Sequence, residues 1–299
     1  MVLKYYEGAN FGDAINPLLF ERLLPGFFDN DERILFFGIG SILGFMKKEE
    51  TTEKIVVFSS GFAYDQVPVI DSLYDIRCVR GPLTASELKV DPSLAVIDGA
   101  VLIRHLPEAA TPVEKKYKYS YIPHHVSEDM FDRWDFVFDG LDINYISPRQ
   151  HPLQVIEQIR QSECVLAEAM HGAIFADSLR VPWIPVKMFE HINEFKWKDW
   201  LMSVDLEYDP VRIFRIYNNE WINWIMNDKF SFKEGSLFNK VTSSVYRKYQ
   251  SALLEDKFRR ELLRIAANTE PRLSRESVLK SKEARLLQIL GDLNRDYAQ

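Results

Sequence analysis

Residues 164–187 read CVLAEAMHGAIFADSLRVPWIPVK, and this stretch decides the fold. Residues 164–180 are a strand turning into a helix, and VPWIPVK (181–187) is a second strand. Strand, crossover helix and strand form the unit from which parallel sheets are built. Just upstream, YSYIPHH (119–125) reads as a buried strand and HPLQVIEQIRQSE (151–163) as an amphipathic helix. The same rhythm runs through the first third of the chain, where ILFFGIGSIL (34–43), KIVVFSSGF (54–62), DIRCVRGP (75–82) and SLAVIDGAVLI (93–103) alternate with helical stretches. Strands apolar throughout are covered on both faces and carry ligand-facing loops at their carboxyl ends. Functional loops are therefore expected to begin at Gly38, Ser59, Arg80 and Asp98. The polar, aperiodic segment 108–119 is the candidate linker between two domains, and beyond about residue 206 the spacing becomes helical. The fold class is α/β with closing C-terminal helices.

The chain has 299 residues, 46% hydrophobic and 13% aromatic, enough to bury one large core or two. No apolar run at the start has signal-peptide length and none later reaches bilayer-spanning length, so the expected location is the cytoplasm. Cys78 and Cys164 lie far apart, with no CxxC or Cys/His cluster, against a structural zinc or a disulfide framework. A net charge of −7 offers nucleic acid no global attraction, so any anionic ligand must be met locally.

Several residues could carry chemistry. In Asn10-Phe11-Gly12-Asp13, glycine permits a tight approach while Asn10 and Asp13 either project polar groups from a loop or merely cap a helix. Arg80-Gly81-Pro82, with Thr84 and Ser86 in the next turn, places a guanidinium fork beside a helix N-terminus, an anion site unless Arg80 is a surface residue pairing with Glu87. His124 and His125 end a predicted strand, so at least one should enter the cleft. As strand neighbours they would face opposite ways and could not chelate one ion, and with no HExxH motif no metal is expected. His171, followed by Gly172 at a strand-to-helix turn, is the best general acid or base, against the alternative of a hydrogen-bonded structural histidine. Glu168 is an orienting partner or an N-cap. Lys196 and Lys198, set among aromatic rings in EFKWKDW (194–200), either neutralise an anion beside a sugar-stacking surface or snorkel over a packed helix.

In order and spacing, NFGDAINP, GIGSIL, SSGF, VRGPLTASEL, DGA, YIPHH and ECVLAEAMHGAIFADSLRVPWIPV resemble the polysaccharide pyruvyl transferase family, from about residue 5 to residue 200. The chain looks most like the exopolysaccharide ketal pyruvyl transferases of succinoglycan type. The resemblance implies two Rossmann-like domains, 1–110 and 111–206, facing a cleft as in GT-B glycosyltransferases, with a helical segment 207–299. It implies phosphoenolpyruvate as donor and no metal or organic cofactor. The acceptor it implies is a sugar, typically of a lipid-linked oligosaccharide, with peripheral membrane association to which Trp221 and Trp224 could contribute unless they pack in the core. Carried over by position, Arg80 and His171 hold the donor or act on it, Asn10, Gly12 and Asp13 form the N-terminal loop, and His124 or His125 matches a strand end. Many relatives have serines where this chain has Ala167 and Glu168, so no serine role transfers and Glu168 is the substitute candidate. The implied roles are Arg80 with Lys196 or Lys198 for phosphate and carboxylate, His171 for proton transfer, and Asp13 or Glu168 for acceptor hydroxyls. Two other readings fit an α/β pattern: a GT-B glycosyltransferase using a nucleotide sugar, and a binding module docking through residues 277–299.

Overall fold

A computed structural model describes residues 1–46, 48, 50–64, 66–217 and 253–297; Trp221 and Trp224 lie outside them. The first half contains β1 (Val2–Lys4), α1 (Phe11–Leu23), β2 (Ile34–Phe37), β3 (Lys54–Ser60), β4 (Tyr74–Val79), α2 (Pro82–Leu88) and α3 (Pro107–Ala110). Its strands form a parallel sheet in the order β1-β2-β3-β4. The second half runs β5 (Tyr117–Ile122), α4 (His125–Asp129), α5 (Trp134–Phe138), β6 (Asn144–Tyr145), α6 (Pro152–Arg160), β7 (Ser162–Ala167), α7 (Met170–Ser178), β8 (Trp183–Lys187), α8 (Glu194–Ser203) and β9 (Val211–Arg212). These strands are also parallel, in the order β6-β5-β7-β8-β9. The chain closes with α9 (Glu255–Asn268) and α10 (Glu276–Tyr297).

Alternation along the strands assigns each face to a core. On β3, Val56 and Phe58 enter the main cluster while Ile55 and Val57 enter a smaller one; on β7, Val165 and Ala167 enter the same main cluster while Cys164 and Leu166 face another. The main cluster thus draws one face from each sheet and holds buried residues of α1, α6 and α7. The helix α10 adds Leu279, Leu286, Ile289, Leu290 and Leu293 to it and ties back to the first half through Arg104–Glu276 and Arg77–Asp296 ion pairs. Among the described residues no helix is long and apolar enough to cross a membrane.

Two expectations fail for physical reasons. Residues 93–103 are not a strand: only Ala95 bridges to Val79, and the chain then winds into a 3₁₀ helix from Gly99 to His105. The Asp98 carboxylate accepts the Ala100 N–H and starts that helix, and a short apolar run alone does not separate a strand from a buried helix. The second is the pair His124–His125, which lies beyond β5: His124 is the N-cap of α4 and His125 its first residue. They are not strand neighbours on opposite faces.

Candidate active site

Because both sheets are parallel, each collects its loops at one end, and the two carboxyl ends converge on a cavity of about 390 Å³. The lining residues all follow strands: Tyr6, Asn10 and Asp13 after β1, Ser41, Ile42 and Phe45 after β2, and Tyr64 after β3. From the second sheet come His124 and His125 after β5, Pro148 after β6, Ala169, Met170 and His171 after β7, and Lys196 and Trp197 after β8.

The N-terminal loop and the histidine motif meet at the floor. Asn10 caps α1 by accepting the Gly12 N–H, and its side-chain amide donates to Asp13 Oδ2 at 2.8 Å. Gly12 lies so close to His171 that a Cβ would land on the imidazole, so the glycine is what admits the ring. Burial raises the Asp13 carboxyl above the ordinary aspartate value, against the opposing pull of His171, Lys196 and the Asn10 hydrogen bond. Its carboxylate is therefore a stronger base than a free one.

Behind His171 stands a residue the sequence reading did not assign. Asp98 is fully buried, with one oxygen 3.8 Å from His171 Nε2 and the other holding the Ala100 N–H at 2.9 Å. Burial alone would raise its carboxyl, but His171, Arg80 and the Ala100 N–H outweigh that and hold it below the ordinary value. It is an anion positioned to balance charge on the imidazole. The signals for it were the functional loop expected to begin at Asp98 and the DGA motif at 98–100, neither of which gave the carboxylate a role.

The start of α7 supplies the other electrostatic element. Ala169 is its N-cap and makes no side-chain capping bond, and Ala169, Met170 and His171 all line the cavity, so the N-terminus faces it uncapped. Gly172 packs its open side on Ile122, which brings α7 against β5. Lys196 enters from α8, and its positive charge reaches Asp13, His124 and His125. Both latter histidines are depressed: burial comes first, with Lys196 adding, and His125 falls to about 4 while His124 falls well below the ordinary value. His124 Nδ1 accepts the Val126 N–H, which leaves the proton of the neutral ring on Nε2 as a donor.

Six expected site residues do not line the cavity: Gly12 and Gly172, which pack behind it on His171 and Ile122, and Arg80, Gly81, Glu168 and Lys198. Arg80 is completely buried and bonds Asp199 on α8 (Nε to Oδ2, 2.9 Å), Ser41 Oγ (2.5 Å) and the Phe62 carbonyl (2.9 Å). It is neither an open anion fork nor a surface partner of Glu87, because it is wholly enclosed, with Nε, Nη1 and Nη2 each donating to Asp199, Ser41 or the Phe62 carbonyl. Gly81 lies against the Asp199 backbone, where a Cβ would clash, so it lets α8 close over the start of α2. Glu168 is also fully enclosed: its two oxygens accept the His124 N–H at 3.0 Å and the Met188 N–H at 2.8 Å, joining the loops after β5 and β8. That is the orienting role, not contact with an acceptor. Lys198 is half exposed and pairs with Glu194 one turn back on α8. Tyr6, Ser41, Phe45 and Tyr64 line the cavity without having been singled out.

The family model for polysaccharide pyruvyl transferase matches residues 8–187. The chain is 42% identical over 213 residues to the succinoglycan biosynthesis protein ExoV of Rhizobium meliloti (strain 1021), an alignment covering 70% of this chain and 66% of that relative. It is 22% identical over 281 residues to an uncharacterized protein of Acanthamoeba polyphaga mimivirus, covering 85% of this chain and 92% of the other. The matched span runs from the N-terminal loop through β8 and includes the cavity residues from Asn10 to His171, while Tyr6, Lys196 and Trp197 lie outside it. The chain is a member of the polysaccharide pyruvyl transferase family.

Proposed function

We propose that the protein transfers the enolpyruvyl group of phosphoenolpyruvate to a sugar of an exopolysaccharide or its lipid-linked precursor, forming a pyruvate ketal and releasing phosphate. The observation that carries this reading is the meeting, in one cavity, of an imidazole backed by a buried carboxylate, a basic carboxylate, a lysine and an uncapped helix N-terminus. Lys196 and the N–H groups opening α7 hold the phosphate and carboxylate of the donor. His171 delivers a proton to the methylene carbon, leaving C2 an oxocarbenium-like electrophile, while Asp98 balances the charge on the ring before the proton leaves. Asp13 takes the proton from the first acceptor hydroxyl as its oxygen bonds to C2. The second hydroxyl then displaces phosphate from C2, its proton departing with the phosphate, and the ring closes.

In this reading residues 1–110 and 111–206 are two Rossmann-like domains arranged as in GT-B enzymes, with 207–299 closing the structure. The reaction takes place in the cytoplasm beside the lipid-linked acceptor and uses no metal or organic cofactor. The test is phosphate release from phosphoenolpyruvate with galactose- or glucose-bearing acceptors, together with mass spectrometry of the acceptor for the added ketal. Both signals are expected. Neither signal, with no rise in melting temperature on adding phosphoenolpyruvate but a rise with UDP or GDP, would replace this reading with nucleotide-sugar glycosyl transfer.

A further inference from the structure

The first sheet's side of the cavity is aromatic. Tyr6 follows β1, Phe45 follows β2 and Tyr64 follows β3, so three neighbouring strands each deliver one ring to the same cavity. Tyr6 is 45% and Tyr64 43% exposed although both line a concave surface. Large rings left this open in a cavity are free to take a ligand.

Both rings are held in place. Tyr6 meets Phe45 edge to face, with centroids 6.3 Å apart. Lys196 Nζ lies 5.1 Å from the Tyr64 centroid and donates to its hydroxyl at 3.1 Å. A side chain already fixed loses little entropy when a ligand stacks on it. The groups with acid-base chemistry, His171 and Asp13, lie in the same cavity. A pyranose matches this division: its C–H face packs on an aromatic ring while its hydroxyls, at the edge, seek polar partners. Asn10, Asp13 and Ser41 supply such partners.

We propose that Tyr6 and Tyr64 form the acceptor subsite, a stacking platform for a pyranose whose hydroxyls are thereby presented to Asp13 and His171. The assignment of this sugar as acceptor rests on the pyruvyl-transfer reading; its binding does not.

Steady-state kinetics of Tyr64→Ala, Tyr64→Phe and Tyr6→Ala give the first test. Loss of either ring should raise the acceptor KM roughly fivefold, in line with about 1 kcal/mol for an aromatic contact, and Tyr6→Ala should leave the phosphoenolpyruvate KM unchanged. Tyr64→Phe keeps the ring and loses only the Lys196 hydrogen bond, so its acceptor KM should stay near wild type. An equal defect in Tyr64→Phe, or one confined to the donor KM, would mean that Tyr64 acts through Lys196 and would overturn the platform. Saturation-transfer NMR with methyl β-D-galactopyranoside and methyl β-D-glucopyranoside supplies a readout without turnover. Transfer to ring C–H protons of at least one glycoside is expected on wild type and on His171→Ala, and its loss on adding Tyr64→Ala. If that pattern holds while wild type releases no phosphate, the sugar platform stands and the transfer reading falls. If neither glycoside receives saturation, or Tyr64→Ala leaves the signal intact, the platform is wrong whatever the phosphate assay shows.

Discussion

At the residue scale the central pair is His171 with Asp98. An imidazole that carries a proton through a reaction needs a counter-charge that does not itself titrate, and a buried carboxylate held below its ordinary value meets that need. His171→Ala is expected to lower kcat by roughly 10²–10⁴-fold, the usual worth of a positioned acid-base group. Asp98→Asn retains an oxygen for the Ala100 N–H and should fold with a melting temperature near wild type. It should nevertheless lower kcat roughly tenfold or more and alter the pH profile of kcat. An unchanged profile would show that Asp98 serves only the 3₁₀ turn. His171, Asp13, Asn10 and Gly12 were legible in the sequence because each stands in a compact motif whose glycine or cap announces a loop. Asp98 was quoted within a motif but not assigned, since a carboxylate at a turn looks the same whether it caps the backbone or also faces a histidine brought from 73 positions away. Arg80 was read as a ligand contact, and Glu168 as one alternative to an orienting partner or an N-cap, because charged residues beside glycine or histidine look like ligand contacts; only packing reveals that their partners are Asp199 and backbone N–H groups.

At the element scale Asp199 joins α2 to α8. Asp199 accepts from Arg80 Nε, from the Thr84 N–H at 2.9 Å and from Thr84 Oγ at 2.6 Å, all without exposure to water. The contact links the strand end after β4 to the helix that carries Lys196 and Trp197 into the cavity. Removing one member of a buried ion pair strands the other charge, at a cost of about 3–5 kcal/mol. Asp199→Ala is therefore expected to lower the melting temperature by on the order of 10 °C and to weaken phosphoenolpyruvate binding through the displaced Lys196. Asp199→Asn, which can still accept from Thr84, should fall between; scanning calorimetry of both variants decides, and a wild-type Tm for Asp199→Ala would refute the clamp. The strands of the two sheets were mostly readable, because continuous apolar runs ended by Gly, Ser or Arg mark buried parallel strands. The three-residue β1 and two-residue β6 and β9 were not, since pairing with a neighbour, rather than composition, makes so short a segment a strand.

At the scale of the whole molecule, two parallel sheets share one hydrophobic cluster and bring their carboxyl ends together, so the cavity collects buried ionisable groups from both. That collection should make stability depend on pH. The folded protein holds His124 and His125 neutral: His125 is depressed to about 4 by burial and by Lys196, Arg149 and His191, against Asp129, while His124 is depressed well below its ordinary value by burial, His125, Lys196 and His191. In the unfolded chain both titrate near 6.5. A depressed histidine contributes stability that is complete above 6.5 and is lost as pH falls through the folded value, because protons bind the unfolded state first. Asp13 and Glu168 act in the opposite sense: burial raises both, so the stability they contribute is complete below their unfolded values and is lost as pH rises through the folded ones. The histidine contribution is therefore isolated as a difference between two proteins. His125→Asn removes one depressed imidazole and leaves Asp13 and Glu168 in place. On going from pH 7 to about pH 4, where His125 titrates, the melting temperature of wild type should fall further than that of His125→Asn, the two curves separating below about pH 6.5. Parallel curves through that interval would show that His125 is not held neutral in the fold.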